Sequence, residues 1–375
     1  MKQQHLGFAD TVNLGSFYTP EWVVDIVYEM IGRRIPNSAD YRIVDTSCGY
    51  GSFLRGANAI GADIDLAALA QAQRTCKNGK FFHHNSLLNI SRKQHGLTDN
   101  EKIVIVGNPP YNDTTSIVRN RIKRGGTECD HEVFSRDLGI SFLLSYDRLK
   151  ADFVCVLHPL SYLIKKTNFS ACQAFKNNYR LIDGLVISSA VFSDTSKTTH
   201  FPILIALYER NTQGMDYNFI TNYSFKTDEK KQFSLSQFDT IDRYINKYPN
   251  RSALSEEETI AYFWTMRDIN ALKRSKTFVK KESSGTIRIS RDKLAYYCYV
   301  DLFKRNISHI PYYFGNLSVI INHDAFLKIK DIFVQKSAEK HTELRSFIGT
   351  NYQDNNTDLT IENYFRDLLK DHYID

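Results

Sequence analysis

The chain has 375 residues, of which 42% are hydrophobic and 24% charged, and its formal net charge is +6. This composition is typical of a globular protein and excludes a disordered or fibrous chain, while the length predicts two domains. Six scattered cysteines without a Cys-x-x-Cys pair predict free thiols and no metal site. Because no signal-peptide core and no apolar run of ~18 residues is present, we expect a cytoplasmic protein without a membrane span.

The first predicted element is a helix that starts near residue 20. Thr19 is a typical N-cap, Pro20 suits the first helical position, and Glu21 suits the positive end of the helix dipole. The apolar residues that follow recur at helical spacing: Val23, Ile26, Val27, Met30 and Ile31. The pattern predicts an amphipathic helix packed on a core.

A strand, a glycine loop and a second strand follow at residues 42–65. Gly49 and Gly51, directly after the predicted strand 42–45, let the backbone turn sharply and approach a ligand. We expect this loop to lead into a helix. Asp63, at the tip of the second strand, is suited to accept hydrogen bonds from both hydroxyls of a ribose. Nicotinamide and flavin sites share this logic, but the third glycine of their fingerprint is absent.

The function prediction depends most on the segment after the fourth predicted strand. A third strand is expected at 80–84, and a buried fourth one at 103–107. The residues directly after the fourth strand are Asn108, Pro109, Pro110 and Tyr111. Two acceptors, the Asn carboxamide and a Pro carbonyl, beside an aromatic ring suit an exocyclic amino group on a planar heterocycle. The alternative is an ordinary turn with the tyrosine packed on the core.

Three more strands are predicted, at 153–157, 181–187 and 203–207, with helical patterns between them. The expected fold is α/β, a doubly wound, mostly parallel sheet of seven strands with its ligand at the carboxyl ends of the strands. A polar break at 211–214 ends this pattern. The predicted domains are therefore 1–212 and 213–375, the second a smaller mixed α+β domain.

Two groups of basic residues are candidates for phosphate contacts, and a solvated basic surface is the alternative for both. The first group follows the fourth strand: Arg119, Arg121, Lys123 and Arg124. The second lies in the second half of the chain: Lys273, Arg274, Lys276, Lys280, Lys281, Arg288, Arg291, Lys304 and Arg305.

Two helices are expected in the second half. Ser255 to Glu258 has the sequence of a capping box and predicts a helix that continues through Phe263 and Trp264. The chain end carries apolar residues at helical spacing, which predict a helix docked on its own domain: Ile361, Tyr364, Phe365, Leu368 and Leu369.

The segment Asn108-Pro109-Pro110-Tyr111 resembles the catalytic motif of S-adenosylmethionine-dependent methyltransferases that modify amino groups, especially N6-adenine DNA methyltransferases of restriction-modification systems. Residues 45–54 resemble the family's Asp-Pro-x-Cys-Gly-x-Gly-x-Phe-Leu pattern, with Thr46 where proline is usual. Residues 63–65 resemble its Glu-Ile-Asp. The order of these motifs is the one found in one class of these enzymes, in which a target-recognition domain follows.

The resemblance implies the class I methyltransferase fold, S-adenosylmethionine as cofactor and double-stranded DNA as substrate, with a cognate restriction endonuclease as a candidate partner. The implied cofactor contacts are Tyr18, Thr19, Pro20, Asp45, Cys48, Gly49, Gly51, Asp63, Ile64, Asn85, Ser86 and Asn108. The implied catalytic residues are Asn108, Pro109, Pro110, Tyr111 and Phe192. Asn85 stands where the family has an aspartate. Phe192 would pack on the base opposite Tyr111, and a plain core position is an equal alternative.

The implied reaction is direct methyl transfer to N6 of an adenine flipped out of the duplex. Two alternatives stay open. The same four residues could serve another amino group, in RNA adenine, N4 of cytosine or a protein glutamine, although Asn rather than Ser at 108 favours adenine over cytosine. The chain could also be a non-catalytic DNA-binding subunit with a vestigial fold.

Overall fold

The structure is a computed structural model of the protein and describes residues 19–111, 128–192, 200–250, 254–347 and 357–375. The chain divides into two compact units, Met1–Phe233 and Ser234–Asp375. All six cysteines are free thiols, as the sequence predicts. Within the described ranges, no helix is long and apolar enough to cross a membrane.

The first unit is built on one mixed sheet. Its strands are β1 (Arg42–Asp45), β2 (Ala59–Asp63), β3 (Lys80–His83), β4 (Ile103–Gly107), β5 (Phe153–Pro159), β6 (Tyr179–Ser188), β7 (Pro202–Arg210), β8 (Phe225–Thr227) and β9 (Gln232–Phe233). They lie side by side in the order β3-β2-β1-β4-β5-β7-β6-β8-β9. Neighbouring strands are parallel from β3 to β5 and antiparallel on both sides of β7.

The strand order reverses between β1 and β4. From β1 the chain continues outward to β2 and β3, and then returns to place β4 on the other side of β1. In open α/β sheets, such a reversal leaves a crevice at the carboxyl ends of the two central strands, where ligands bind. The candidate site is therefore expected beyond the ends of β1 and β4.

The predicted count of seven strands is wrong, because the sheet has nine. β8 pairs in parallel with β6 through Leu185 and Lys226, and β9 pairs with β8. Phe225 on β8 and Phe233 on β9 are both buried, and their rings stack with centres 5.5 Å apart. The polar break at 211–214 ends a strand but not the sheet, because the free edge of β6 accepts further strands.

The helices of the first unit are α1 (Glu21–Arg34), α2 (Leu66–Thr75), α3 (Leu138–Arg148), α4 (Ser161–Ile164), α5 (Lys166–Ala171), α6 (Gln173–Asn178) and α7 (Tyr217–Asn222). α1 packs on β5 and β7. Its apolar stripe is confirmed, since Val23, Val27, Met30 and Ile31 are buried and Ile26 is partly buried.

Two local predictions in this unit are wrong. The N-cap of α1 is Pro20, and Thr19 does not cap the helix. Residues between β1 and β2 form turns and no α-helix. Gly49, Gly51 and Gly56 all have positive φ, and the intervals between these turns are too short for a helix.

The second unit contains two small antiparallel sheets and four α-helices in its described part. Its strands are β10 (Asp239–Thr240), β11 (Ala261–Trp264), β12 (Phe278–Val279), β13 (Thr286–Ile289) and β14 (Ile320–Ile321). Its helices are α8 (Ile269–Arg274), α9 (Leu294–Arg305), α10 (His323–Lys340) and α11 (Thr357–Leu369). The rings of Tyr299, Phe333 and Phe365, on α9, α10 and α11, form an aromatic core.

The predicted helix through Phe263 and Trp264 is wrong, because these residues lie in β11. Ser255 and Glu258 make the hydrogen bonds of a capping box, yet the box closes only a turn. β11 is the central strand between β12 and β13, and this pairing outweighs the local start signal. The predicted C-terminal helix is confirmed as α11, which packs on α10.

Candidate functional site

Asp45 and Gly107 close β1 and β4 and lie against each other. The Asp45 side chain is buried, at 2% exposure. Gly107 has a φ of +145°, and a Cβ at this position would lie 2.8 Å from Oδ1 of Asp45. Glycine at 107 therefore leaves the room in which the carboxyl group packs against the end of β4.

The Asp45 carboxyl group has an unusual protonation state. Burial raises its pKa to about 8, and the charge of Asp63 adds to the rise. A hydrogen bond that Oδ1 accepts from the backbone N–H of Ser47, at 3.1 Å, offsets part of it. The carboxyl group is thus mostly protonated at pH 7, and a cation placed beside it would favour the carboxylate and lower the pKa.

Asn108, the residue after β4, has its side-chain amide tied to two neighbours. Its Nδ2 donates to Oγ1 of Thr19 at 3.3 Å, which brings the start of α1 to the end of β4. Burial raises the pKa of the Tyr111 hydroxyl, and a hydrogen bond with the Asn108 side chain offsets part of that rise. These contacts orient the amide group while leaving its oxygen for another donor.

Several buried oxygens that follow β1, β3 and β4 have no hydrogen-bond partner among the described residues. They include Oγ of Ser47 after β1, Oγ of Ser86 after β3, and Oδ1 of Asn108 after β4. Buried polar atoms in folded proteins nearly always have a partner, so each unpaired one calls for a missing ligand or solvent molecule. Their positions favour a polar ligand that spans the ends of these strands.

The glycine loop is joined to the end of β2. The backbone N–H of Gly49 donates to Oδ2 of Asp63 at 2.7 Å, and that of Asp65 donates to Oδ1 at 2.9 Å. Burial raises the pKa of Asp63, and both hydrogen bonds counteract the rise. Gly51 packs on α2, where a Cβ would lie 3.1 Å from Cβ of Ala72. The loop is therefore held open beside a carboxylate with spare lone pairs.

The predicted cofactor contacts after β2 and β3 differ in how much of each side chain can still contact a ligand. Ile64 follows Asp63 with 52% of its surface exposed, so it offers an apolar face. The side chain of Asn85 is already used: Oδ1 accepts from N–H of Leu87 at 3.0 Å, and Nδ2 donates to the carbonyl of Glu128 at 2.7 Å. An additional hydrogen bond with Asn85 has to use the second lone pair of Oδ1 or the second N–H of Nδ2.

Other predicted site residues are placed in the interior. The Cys48 thiol faces Gly61 on β2, whose added Cβ would lie 2.9 Å from Sγ, so the cysteine can offer only its backbone to a ligand. Pro109 is buried and Pro110 partly buried. Phe192 is 2% exposed and belongs to the core cluster on which Tyr111 also packs. The base-stacking role of Phe192 stays a prediction.

Five predicted contacts lie outside the described residues: Tyr18, Arg119, Arg121, Lys123 and Arg124. In the described part of the chain, no group of three or more histidine, cysteine, aspartate or glutamate residues is arranged to hold a metal ion.

The predicted DNA contacts of the second unit fall into two groups. Three have partners inside the unit: Arg288 pairs with Glu282, Arg305 with Asp301, and Lys304 donates to the carbonyl of Ser275. Six side chains are exposed: Lys273, Arg274, Lys276, Lys280, Lys281 and Arg291. Their exposure lets these six side chains contact a polyanion.

The structure adds Gly107 and Ser47 to the residues predicted from the sequence. Gly107 directly precedes the Asn-Pro-Pro-Tyr segment, and a glycine at the end of a β-branched strand is a sequence signal of close backbone approach. Ser47 has no comparable signal, since a serine in a glycine-rich loop is ordinary.

The sequence matches no family model, and no curated protein is significantly similar to it. Solved structures resemble it remotely. A proposed class I S-adenosylmethionine-dependent methyltransferase from Listeria monocytogenes is 14% identical, with a TM-score of 0.39, 56% of this chain covered and 70% of that one. The modification subunit of a proposed type I restriction enzyme from Vibrio vulnificus is 16% identical, with a TM-score of 0.39 and coverages of 62% and 54%.

The ATP-dependent Type ISP restriction-modification enzyme LlaBIII, solved bound to DNA, is 12% identical, with a TM-score of 0.41. The match covers 71% of this chain and 25% of that enzyme. The chain thus spans about half of the Vibrio subunit and a quarter of LlaBIII.

Proposed function

We propose that this protein transfers a methyl group from S-adenosylmethionine to N6 of a flipped adenine in double-stranded DNA, as the modification enzyme of a restriction-modification system. The observation that carries the proposal is Oδ1 of Asn108. It is a buried acceptor, unpaired among the described residues, on an amide oriented by Thr19 and Tyr111 at the ligand crevice of the sheet. Such an acceptor takes an N–H or O–H donor, and an amino group supplies the N–H.

Methyl transfer to N6 depends more on the orientation of the reacting groups than on a catalytic base. Oδ1 of Asn108 and the carbonyl of Pro109 accept hydrogen bonds from the two N–H groups of N6. These contacts draw the N6 lone pair out of conjugation with the adenine ring and direct it toward the methyl group. The ring of Tyr111 stacks on the adenine. N6 loses a proton only after it has become positively charged, so positioning and local electrostatics supply the rate enhancement. Extruding the adenine costs a few kcal/mol of stacking and pairing.

The residues of the crevice fit S-adenosylmethionine, whose sulfonium supplies the methyl group. Asp45 offers a buried carboxyl group to its α-ammonium. Asp63 has lone pairs left for the ribose hydroxyls, and the exposed Ile64 offers an apolar surface to the cofactor's adenine. Ser47 and Ser86 supply hydroxyl groups that are unpaired among the described residues.

Cofactor affinity should rise with pH because of Asp45. Since burial holds its pKa near 8 in the free protein, the group is protonated below that pH and must lose its proton to pair with an ammonium. The dissociation constant should therefore fall about tenfold between pH 6.5 and 8 and level off above the pKa. Calorimetry in buffers of different ionisation enthalpy should detect proton release. In Asp45→Asn both effects should vanish, and a flat profile for the unaltered protein would contradict the assignment.

Tyr111 should act mainly through the face of its ring. Tyr111→Ala should lower kcat about a hundredfold, because stacking of a base on an aromatic side chain contributes about 1–3 kcal/mol. Tyr111→Phe keeps the face and loses only the hydrogen bond with Asn108, so a loss of a few-fold is expected. Steady-state kinetics of the two variants test this difference. Equal losses would show that the hydroxyl matters more than the ring.

We further propose that the exposed cations of the second unit contact DNA phosphates. Charge reversal at Lys280 and Lys281 should weaken DNA binding and flatten its salt dependence, since each lost phosphate contact removes released counterions. Sequence preference should not change, because phosphate contacts position the protein and base contacts specify the sequence.

Product analysis tests the proposed function. Unmethylated genomic DNA is incubated with the protein and S-adenosylmethionine, digested to nucleosides and examined by mass spectrometry. N6-methyladenine is the expected product. N4-methylcytosine, or methylation of RNA or protein in place of DNA, would replace the proposed substrate. Cofactor binding without methylation of any of these would favour a non-catalytic subunit.

A further inference from the structure

Tyr111 is backed by the start of α3. A Cβ placed on Gly139, in the first turn of this helix, would lie 3.0 Å from Cβ of Tyr111 and 2.5 Å from Oη of Tyr162. Gly139 is itself buried. The absent side chain is what lets the two tyrosines approach the same point of the backbone from different elements.

The Tyr162 hydroxyl is held by the residue that caps α3. Tyr162 lies on α4, just after β5, and is 1% exposed. Its hydroxyl donates to Oδ1 of Asp137, which also accepts from the backbone N–H of Gly139 at 3.1 Å. Burial and the charge of Asp137 raise the pKa of Tyr162 well above its usual value, so the phenol stays protonated and remains a donor. One carboxylate thus joins α4 to the start of α3.

The ring of Tyr162 is fixed from the sheet side as well. It stacks on the imidazole of His158, with ring centres 5.4 Å apart and planes 9° from parallel. Nε2 of His158 is hydrogen-bonded to Oη of Tyr208 on β7 at 2.7 Å, and Nδ1 to the carbonyl of Pro159 at 2.9 Å. Buried contacts therefore run without interruption from β7 through His158 and Tyr162 to the backbone behind Tyr111.

We propose that Tyr162, together with Asp137 and Gly139, positions the ring of Tyr111. These three residues determine how closely the start of α3 approaches Tyr111. That distance in turn fixes the plane in which the Tyr111 ring contacts the substrate. Tyr162 and Asp137 are positioning residues, since they act through Gly139. The effect on turnover rests on the proposed methyl transfer, while the effect on Tyr111 itself does not.

Since a Cβ on Gly139 would lie nearest to Oη of Tyr162, removal of that hydroxyl should partly rescue a Gly139→Ala variant. Gly139→Ala brings a methyl group against both tyrosines and should lower kcat about ten- to a hundredfold, because small misplacements of reacting groups are costly. The dissociation constant of S-adenosylmethionine should stay unchanged. Tyr162→Phe removes the atom at 2.5 Å, so the double variant Gly139→Ala/Tyr162→Phe should recover part of the lost kcat. Such non-additivity is expected only for groups in contact.

A spectroscopic label tests the positioning without any turnover. 3-Fluorotyrosine is incorporated at position 111, and its single ¹⁹F resonance is recorded in each variant. We expect Gly139→Ala to shift the resonance and Tyr162→Phe to move it back toward its original position. A resonance that stays in place in Gly139→Ala, or that the second substitution leaves shifted, would overturn the proposal. Should Gly139→Ala not fold, Tyr162→Phe alone must shift the resonance, since it frees Asp137; an unmoved signal would again overturn the proposal.

Two substitutions provide matched controls. Tyr179→Phe also removes a buried phenol, which donates to the carbonyl of Ala151 at 2.7 Å. Gly184→Ala places a Cβ 3.1 Å from Cδ1 of Leu204 on the neighbouring strand. Neither contact involves Tyr111, so neither variant should shift the ¹⁹F signal. If the protein methylates nothing, the proposed function fails, and the resonance still decides the positioning role.

Discussion

Replacement of Asn108 by alanine is expected to abolish methyl transfer and to leave cofactor binding nearly intact. The variant loses the buried Oδ1 that accepts from the amino group of the substrate. Loss of one such preorganised contact typically lowers kcat about 10²- to 10³-fold. The hydrogen bonds to Thr19 and Tyr111 disappear too, at about 1 kcal/mol of folding stability each. Turnover of DNA and calorimetric titration with S-adenosylmethionine measure the two effects separately.

Asn316→Ala is the matched control for this prediction. Asn316, in the second unit, also has a buried Oδ1 that is unpaired among the described residues. Its removal changes the same chemical group in a residue that does not belong to the sheet of the first unit, so kcat should be retained. Joint loss of turnover and cofactor binding in Asn108→Ala would show that Asn108 holds the cofactor pocket together and is not chiefly a substrate acceptor.

Replacement of Gly107 by alanine should damage both the fold and the cofactor pocket. An alanine at a φ of +145° is strained by about 1–3 kcal/mol. Its Cβ would also lie 2.8 Å from Oδ1 of Asp45, so the carboxyl group has to move. We expect the free energy of unfolding to fall by about 2–4 kcal/mol and cofactor affinity to fall about tenfold or more. Chemical denaturation and calorimetry measure these changes.

Gly32→Ala serves as the control, since Gly32 lies within α1 and a Cβ there meets nothing within 4 Å. An alanine inside a helix should raise stability by about 0.5–1 kcal/mol. A Gly107→Ala variant with unchanged cofactor affinity would mean that Asp45 does not contribute to cofactor binding.

The most regular local patterns predicted the structure well. β1 and β4 have the expected bounds. A short β-branched run predicts a strand, and the glycine or acidic turn residue after it predicts where the strand ends. α11 follows from the spacing of its apolar residues. The helix predicted between β1 and β2 is absent, since a loop rich in glycine fits the start of a helix as well as a series of turns.

The sequence by itself determined the positions of the first seven strands along the chain and the type of residue at the end of each central strand. Both properties depend on neighbours in the chain, through side-chain periodicity and backbone restriction at proline and glycine. Only the tertiary structure decided which distant groups meet. Four features depend on pairing and packing across the fold: the added strands β8 and β9, the strand at Phe263, the contact of Gly107 with Asp45, and the approach of Tyr162 to Tyr111. The residues that meet in each of them are far apart in the chain, so no local sequence pattern predicts the contact.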